Sequence, residues 1–258
     1  MIKNLVIDLD GVLTKDKNLT PFDDAPAFIE FLRENNVKFK IATNNSLYSP
    51  EELVKRLNDH GIQISKDEVI TPLVILPEYL QKKKISKLFV IGTKNLQEYL
   101  RQKGAEVLNS IDVDAVVIGQ DKTFNFEKMK IATTAIKENN AQILALNANL
   151  ITKDDDGLLF PGVGSVAQMF AYATKKDWVH FGKNSPHYNE KLLSDFPKGE
   201  KIWIISDDIF TDLIPFSKQG LKTIFITTGK YKVEDIPPDF SPDFVVDSLS
   251  QLIGLLSQ

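Results

Sequence analysis

Short apolar segments alternate with amphipathic segments along almost the whole chain, and this alternation limits the fold more than any other feature. Residues 5–7, 37–42 and 201–205 have the length and composition of buried strands. Residues 24–36 and 126–139 carry apolar side chains at helical spacing. Strands that alternate with helices in this way form a parallel sheet covered by helices. The sequence therefore predicts an α/β protein.

Further segments follow the same pattern. Ser49-Pro50 is typical of a helix start, because Ser is a good N-cap and Pro suits the first helical position. Residues 154–157 predict a turn, and residues 162–174 predict a helix. The remaining predicted strands are residues 69–71, 88–91, 115–118, 142–146, 179–181, 223–228 and 244–246.

Composition excludes several classes of function. The chain has no cysteine, which excludes disulfides, thiolate catalysis and thiolate metal sites. Its net charge of −4 argues against a nucleic-acid-binding face. No apolar run approaches the length of a membrane span, and the first residues lack the features of a signal peptide. We therefore expect a cytoplasmic protein that binds neither nucleic acid nor membrane.

Polar clusters follow four of the apolar runs, where a parallel sheet binds its ligands. They are Asp8–Asp10, Thr43–Ser46, Gly182–Lys183 and Ser206–Asp212. Two clusters precede the middle of the chain and two follow it. We therefore predict a core built from residues 1–74 and 178–258, with residues 75–177 inserted as a second domain.

Asp8 and Asp10 are the first candidates for catalysis. Two carboxylates this close repel each other, so both stay ionised only beside a cation. Oxygen ligands favour a hard cation such as Mg²⁺. Such a cation would let Asp8 attack a phosphate, while Asp10 protonates the departing oxygen and then activates water. The alternative is that both residues only form a strand-end turn.

Two further clusters suit phosphate binding. Thr43, Asn44 and Asn45 offer short hydroxyl and amide groups near a helix start. The alternative is a polar loop that caps the next helix, although Ser49 already fits that position. Lys183 can neutralise a phosphate and the nucleophile together, or it can be an ordinary solvated lysine.

The last cluster supplies more carboxylates. Acids at two separate strand ends favour a metal site over a chance acidic run. We expect Asp207 to lie on the metal or close to it. Asp208 and Asp212 are expected beside the ligands, with Asp212 orienting a ligand or Lys183.

This ordered set of motifs resembles the haloacid dehalogenase superfamily. More narrowly, it is similar to the branch of NagD, the p-nitrophenyl phosphatases and the pyridoxal or phosphoglycolate phosphatases. That branch carries a large α/β cap between its second and third motifs, where the insert is predicted. Residues 117–128, 147–150 and 160–165 resemble segments of that cap. The resemblance covers nearly the whole chain.

The resemblance implies a doubly wound, Rossmann-like core with an inserted α/β cap. It also implies a role for each motif residue. These are Asp8 as nucleophile and Mg²⁺ ligand, Asp10 as general acid and base that binds the metal through its backbone carbonyl, Thr43 and Asn44 as phosphoryl-binding residues, Lys183 as the cation that stabilises the phosphoaspartyl state, and Asp207 as the acidic Mg²⁺ ligand.

The chain departs from the family pattern at several positions. Ser206 stands where the family usually has Gly, and Asn184 stands where it usually has Pro. These departures leave loop geometry and substrate choice open, and they keep a catalytically degenerate phosphate-binding protein as the alternative function. A dehalogenase needs neither Asp10 nor a metal, so Asp10 and Asp207 argue against that activity.

The sequence therefore predicts a magnesium-dependent phosphomonoesterase that acts on a small phosphorylated metabolite. The identity of the metabolite stays open among nucleotides, sugar phosphates, phosphoglycolate, pyridoxal phosphate and aryl phosphates. The resemblance also suggests a homodimer formed through the cap.

Overall fold

The structure, a computed structural model, describes residues 2–154 and 156–256. Its strands are β1 (Asn4–Asp8), β2 (Lys38–Ala42), β3 (Val69–Ile70), β4 (Lys87–Ile91), β5 (Glu106–Val107), β6 (Ala115–Ile118), β7 (Gln142–Ala145), β8 (Ile151–Lys153), β9 (Leu159–Pro161), β10 (Trp178–His180), β11 (Trp203–Ser206), β12 (Lys222–Ile226) and β13 (Phe244–Val246). Its helices are α1 (Ala25–Glu34), α2 (Pro50–Asp59), α3 (Pro72–Lys83), α4 (Lys94–Gln102), α5 (Phe126–Glu138), α6 (Val163–Thr174), α7 (Pro186–Ser194), α8 (Ile214–Lys218) and α9 (Leu249–Leu256).

The chain folds into two compact units. The first comprises Met1–Thr43, Pro50–Ile70 and Tyr188–Gln258, and the second comprises Asn44–Ser49 and Thr71–His187. These bounds differ from the predicted ones, which assign residues 44–49, 71–74 and 178–187 to the core. For residues 178–187 the difference arises because β10 pairs with β7, a strand of the second unit. The roles of the two units as catalytic core and cap stay predictions.

The first unit is built around a parallel sheet. Within the described residues it has six strands in the order β13-β12-β11-β1-β2-β3. Leu5, Val6 and Ile7 of β1 are fully buried, as expected for a central strand covered on both faces. The strand order reverses beside β1, and ligands of open α/β sheets bind at such a reversal.

The second unit contains its own parallel sheet, in the order β10-β7-β6-β4-β5 over the described part of the chain. Val116, Ile143 and Phe170 belong to its buried core. Strands β8 and β9 form a separate antiparallel pair. The predicted turn between them includes Asp155, which lies outside the described residues. Neither these short strands nor β5 is predicted, because two or three residues are too few to display a period.

The predicted α/β class is confirmed by these two parallel sheets and their helices. Local predictions also agree with the structure: α2 begins at Pro50 and carries Glu51 and Glu52 in its first turn. Among residues 2–154 and 156–256, no helix combines the length and the apolar character that crossing a membrane requires.

Candidate active site

Three of the predicted polar clusters reach one edge of the first sheet. Asp8 is the last residue of β1, Ser206 is the last residue of β11, and Thr43 directly follows β2. The parallel register pairs Asp8 with Ala42, so Thr43 lies one residue beyond that pair. The carboxyl ends of neighbouring parallel strands thus bring together residues that are far apart in the sequence.

The Asp8 carboxylate is buried, with 6% of the residue exposed, and both of its oxygens accept hydrogen bonds. Oδ1 accepts the backbone N–H of Leu9 at 2.7 Å. Oδ2 accepts the hydroxyl of Ser206 at 3.2 Å. The Leu9 N–H and the Ser206 hydroxyl, whose single proton is shared between Asp8 and Asp212, therefore restrict the orientation of the side chain at the end of the strand.

Asp10 lies in the tight turn that follows β1. Gly11 has a φ of 81°, a left-handed conformation that favours glycine, and its N–H donates to the carbonyl of Thr14 at 2.8 Å. The hydroxyl of the buried Thr43 donates to Oδ2 of Asp10 at 3.4 Å. Asp10 itself is exposed. Its carboxylate can therefore exchange a proton with a bound molecule or with water.

Asp207 is buried, with 5% of the residue exposed, and it lies between two glycines. Its Oδ2 accepts the backbone N–H of Lys230 at 2.6 Å. A Cβ added to either Gly11 or Gly229 would overlap its carboxylate. The carboxylate is therefore enclosed by backbone on two sides, and one of these is the turn after β1.

The segment that follows β12 belongs to the same edge, although the sequence prediction omits it. Thr228 donates its hydroxyl to the carbonyl of Gly11 at 2.5 Å, and Lys230 donates its N–H to Asp207. A signal for this segment exists in the sequence. The prediction assigns residues 227 and 228 to the strand 223–228, whereas β12 ends at Ile226. Residues 227–230 are polar or glycine and follow the apolar residues of that strand, which is the pattern that selects the other clusters.

Asp208 stabilises the helical turn that follows Asp207. Its Oδ1 accepts the N–H groups of Phe210 and Thr211 at 3.1 and 2.8 Å, and its Oδ2 accepts Nζ of Lys230 at 3.0 Å. Burial by itself raises the pKa of Asp208. The Thr211 N–H and the charge of Lys230 outweigh that effect, so the pKa lies below its ordinary value.

Asp212 is almost completely buried on the same helical turn. Its Oδ2 accepts the hydroxyl of Ser206 at 2.7 Å, and its N–H donates to the carbonyl of Asp208 at 3.2 Å. The hydroxyl of Ser206 thus lies between Asp212 and Asp8. The predicted role of Asp212, to orient a ligand or Lys183, stays a prediction.

The remaining predicted site residues lie in the second unit. Asn44 accepts the backbone N–H of Lys183 on its Oδ1 at 2.8 Å, so these two residues are adjacent although they are distant in sequence. Asn45 accepts the N–H groups of Leu47 and Tyr48 on its Oδ1 at 3.1 and 3.4 Å. The amide of Asn45 therefore stabilises its own loop, while its predicted phosphate contact stays a prediction.

The metal prediction depends on a small set of oxygen donors. Within residues 2–154 and 156–256, no group of three or more His, Asp or Glu side chains converges to hold a metal ion. The predicted ligand set does not require such a group, because it combines the side chains of Asp8 and Asp207 with the backbone carbonyl of Asp10. Both carboxylates are buried in the first unit, and all the donors of this set are oxygens.

Comparison with known proteins agrees with this reading of the motifs. A model of the haloacid dehalogenase-like hydrolases matches residues 5–106, and a HAD-hydrolase-like model matches residues 180–252. An acid sugar phosphatase of Staphylococcus epidermidis is 30% identical over 244 residues, which cover 92% of this chain and 92% of the relative. The chain belongs to the haloacid dehalogenase-like hydrolase family.

Two further similar proteins extend the comparison. A dihydroxyacetone phosphatase of Corynebacterium glutamicum is 29% identical, covering 95% of this chain and 88% of that protein. The solved structure of a p-nitrophenyl phosphatase from Archaeoglobus fulgidus has a TM-score of 0.85 at 26% identity, covering 98% of this chain and 99% of that one. The predicted family is confirmed, and the likeness to a p-nitrophenyl phosphatase agrees with the predicted branch.

Proposed function

We propose that this hydrolase is a magnesium-dependent phosphomonoesterase that forms a phosphoaspartyl intermediate on Asp8. The observation that carries the proposal is the position of Asp207, whose buried carboxylate lies against Gly11. This contact joins the acidic motif after β1 to the acidic segment after β11 at one edge of the sheet. The names of the relatives, which include an acid sugar phosphatase and a dihydroxyacetone phosphatase, support the reaction class.

Asp8 performs the first step. A carboxylate oxygen of Asp8 attacks phosphorus and forms a new P–O bond, while the ester P–O bond breaks on the opposite side. The leaving oxygen takes a proton from Asp10. The hydrogen bonds from Leu9 and Ser206 support this role, because they fix the carboxylate before the substrate arrives.

Asp10 performs the second step as a base. It removes a proton from water, and the resulting hydroxide attacks phosphorus, which releases inorganic phosphate and the free carboxylate of Asp8. Its exposure supports this role, since the proton must reach both the leaving group and water. The hydrogen bond from Thr43 supports it further by limiting the orientations of the side chain.

Asp8, Asp207 and the carbonyl of Asp10 would hold the magnesium ion. Buried carboxylates without a compensating cation are costly, and an all-oxygen donor set suits a hard divalent ion. When bound, the ion would neutralise charge on the phosphoryl group and so permit attack by an anionic carboxylate. The enclosure of Asp207 by Gly11 and Gly229 would keep that carboxylate in place.

Asn44 and Lys183 would bind the phosphoryl group together with Thr43. Lys183 carries the positive charge that a phosphoryl group on Asp8 requires. The hydrogen bond between Asn44 and Lys183 supports a joint role, because it couples the position of one residue to that of the other. Asn45 stabilises the loop that carries Asn44.

The substrate is proposed to be a small phosphorylated metabolite. Two of the relatives are named for a sugar phosphate and a triose phosphate activity, so phosphorylated sugars and trioses are the first compounds to test. A panel that also contains nucleotides, phosphoglycolate and pyridoxal phosphate would identify the preferred class by its kcat/KM.

The direct test is hydrolysis of p-nitrophenyl phosphate in the presence of Mg²⁺. We expect activity in the native protein, loss of at least 1000-fold (an order-of-magnitude figure of roughly 4 kcal/mol) in Asp8→Asn, and no loss in Asp23→Asn. Asp23 is a suitable control because its carboxylate is 98% exposed and pairs with Lys15. Full activity of Asp8→Asn would refute the assignment of the nucleophile.

The alternative is a catalytically degenerate protein that binds a phosphorylated metabolite. It is considered because Ser206 departs from the glycine that the family resemblance implies at this position. Mass spectrometry of Asp8 after exposure to a small phosphodonor separates the two functions. Rapid loss of the phosphoryl group supports the phosphatase, whereas a phosphoaspartate that survives for minutes supports the alternative.

A further inference from the structure

The hydroxyl of Ser206 lies between two buried carboxylates. Its Oγ is 3.2 Å from Oδ2 of Asp8 and 2.7 Å from Oδ2 of Asp212. Ser206 is fully buried, and the two acids are 6% and 1% exposed. A residue in this position can act on the nucleophile without contacting the substrate.

The backbone directs the single proton of this hydroxyl. The N–H of Asp208 donates to Oγ of Ser206 at 3.0 Å and so occupies a lone pair on that oxygen. A serine hydroxyl has one donor and two acceptor positions. Its proton is therefore left for the carboxylates, and the shorter distance gives Asp212 the larger share of it.

We propose that Ser206 is a positioning residue, whose hydroxyl couples Asp8 to Asp212 and fixes the carboxylate that attacks phosphorus. This inference rests on the proposed function, in which Asp8 is the nucleophile. The coupling depends on the hydroxyl, because a glycine at this position would have none to donate. Asp212 is then connected to the nucleophile through Ser206.

Loss of the hydroxyl has two consequences. Asp8 and Asp212 lose the donor between them, so their like charges repel and Asp8 can rotate away from its attacking orientation. The N–H of Asp208 also loses its acceptor, which lowers stability. The first effect lowers kcat and leaves KM nearly unchanged, whereas the second effect by itself changes neither constant in the folded protein.

A matched control exists in the same sheet. Thr223, at the beginning of β12, is also buried, accepts the N–H of Asp243 at 3.2 Å and donates to Oδ2 of Asp243 at 3.3 Å. Thr223→Ala thus removes a hydroxyl that also bonds to a carboxylate and a backbone N–H. Thr223 lies at the beginning of β12, whereas Ser206 ends β11, so the two hydroxyls lie at opposite edges of the parallel sheet. Thr223→Ala should lower stability about as much as Ser206→Ala without changing catalysis.

The experiment compares Ser206→Ala, Ser206→Gly and Thr223→Ala by p-nitrophenyl phosphate kinetics with Mg²⁺ and by thermal unfolding. We expect kcat to fall about 3- to 10-fold in both Ser206 variants, with KM within about 2-fold of the native value. We expect native kcat in Thr223→Ala. Native or higher kcat in folded Ser206→Gly would overturn the inference, as would an equal loss in Thr223→Ala.

A double-mutant cycle with Asp212→Asn tests the coupling itself. If Ser206 acts by joining Asp212 to Asp8, Ser206→Ala should lower kcat less in the Asp212→Asn protein than in the native one. Equal fold losses in both would overturn the inference. Asp8→Asn distinguishes the two proposals. If that variant keeps full activity, both the proposed nucleophile and the role of Ser206 are wrong. If Asp8→Asn loses activity while the Ser206 variants keep it, only the role of Ser206 is wrong.

Discussion

The carboxylate of Asp207 occupies the space in which a side chain on Gly11 would lie. The two residues are at opposite ends of the sequence, yet no side chain larger than hydrogen fits between the turn after β1 and the acid after β11. This close approach explains why a glycine follows Asp10. The left-handed backbone of Gly11 is a separate reason, and the two can be distinguished by mutation.

Gly11→Ala should abolish activity and lower stability. The new Cβ would overlap Asp207, and the φ of 81° adds a strain of about 1–2 kcal/mol. Gly104→Ala is the matched control, because Gly104 has a φ of 92° with no atom within 4 Å of an added Cβ. In the control, urea unfolding should show a similar loss of stability, because the backbone strain is the same, and kinetics should show native activity. Equal activity of the two variants would contradict the contact with Asp207.

Gly229→Ala should also inactivate the enzyme, but without backbone strain. Its Cβ would overlap the carboxylate of Asp207, which must then move from the position stabilised by the N–H of Lys230. We expect the Mg²⁺ concentration for half-maximal activity to rise at least 10-fold, which corresponds to about 1.4 kcal/mol of binding. Gly254→Ala is the control, since its Cβ meets no atom within 4 Å and alanine favours helix α9. An unchanged Mg²⁺ requirement in Gly229→Ala would refute the role of this contact.

Much of this site follows from sequence by one rule. Polar residues after apolar runs predict the sheet edge, and the structure brings Asp8, Thr43, Ser206 and Asp207 to that edge. Applied to the apolar run of β12, the same rule also selects Thr228. The strand order itself does not follow from the pattern, because strands of either sheet have the same composition.

Other features depend on three-dimensional contacts. Strand β10 carries the same apolar signal as the core strands, but its pairing with β7 places it in the second unit. The shared hydroxyl of Ser206 depends on the helical turn that brings Asp212 back beneath the end of β11. Sequence spacing gives no sign of either arrangement, since each is decided by the geometry of neighbouring elements.

Stability should depend on His180 in mildly acidic solution. Burial lowers the pKa of His180, and its Nδ1 has no hydrogen-bond partner among the described residues. The unfolded chain then binds a proton more readily than the folded one. The contribution of neutral His180 to stability is therefore fully present above the unfolded pKa of about 6.5, and it is lost as the pH falls toward the lower pKa of the folded state.

His180→Gln should therefore flatten the dependence of the unfolding free energy on pH below about 6.5. Urea titrations followed by tryptophan fluorescence suit this measurement, because the ring of Trp178 lies 5.8 Å from that of His180. His60→Gln is the control for the His-to-Gln replacement itself, since His60 is exposed. Equal slopes in the native protein and His180→Gln would contradict the lowered pKa.

Asn44→Ala should weaken phosphate binding by releasing Lys183. The amide oxygen of Asn44 accepts the N–H of Lys183 at 2.8 Å, and a Cβ on Gly182 would lie 2.5 Å from that oxygen, so the three residues are closely packed. We expect KM for p-nitrophenyl phosphate and the inhibition constant of inorganic phosphate to rise together by about 10-fold, or roughly 1.4 kcal/mol. Asn58→Ala is the control, because Asn58 makes comparable backbone hydrogen bonds with Ile64 at 2.7 and 3.0 Å in the first unit. Asn58→Ala should lose about 1–2 kcal/mol of stability and keep the native KM and the native inhibition constant of phosphate. If phosphate inhibits Asn44→Ala as strongly as the native enzyme, Asn44 stabilises only its own loop, and its assigned role in holding the phosphoryl group is wrong.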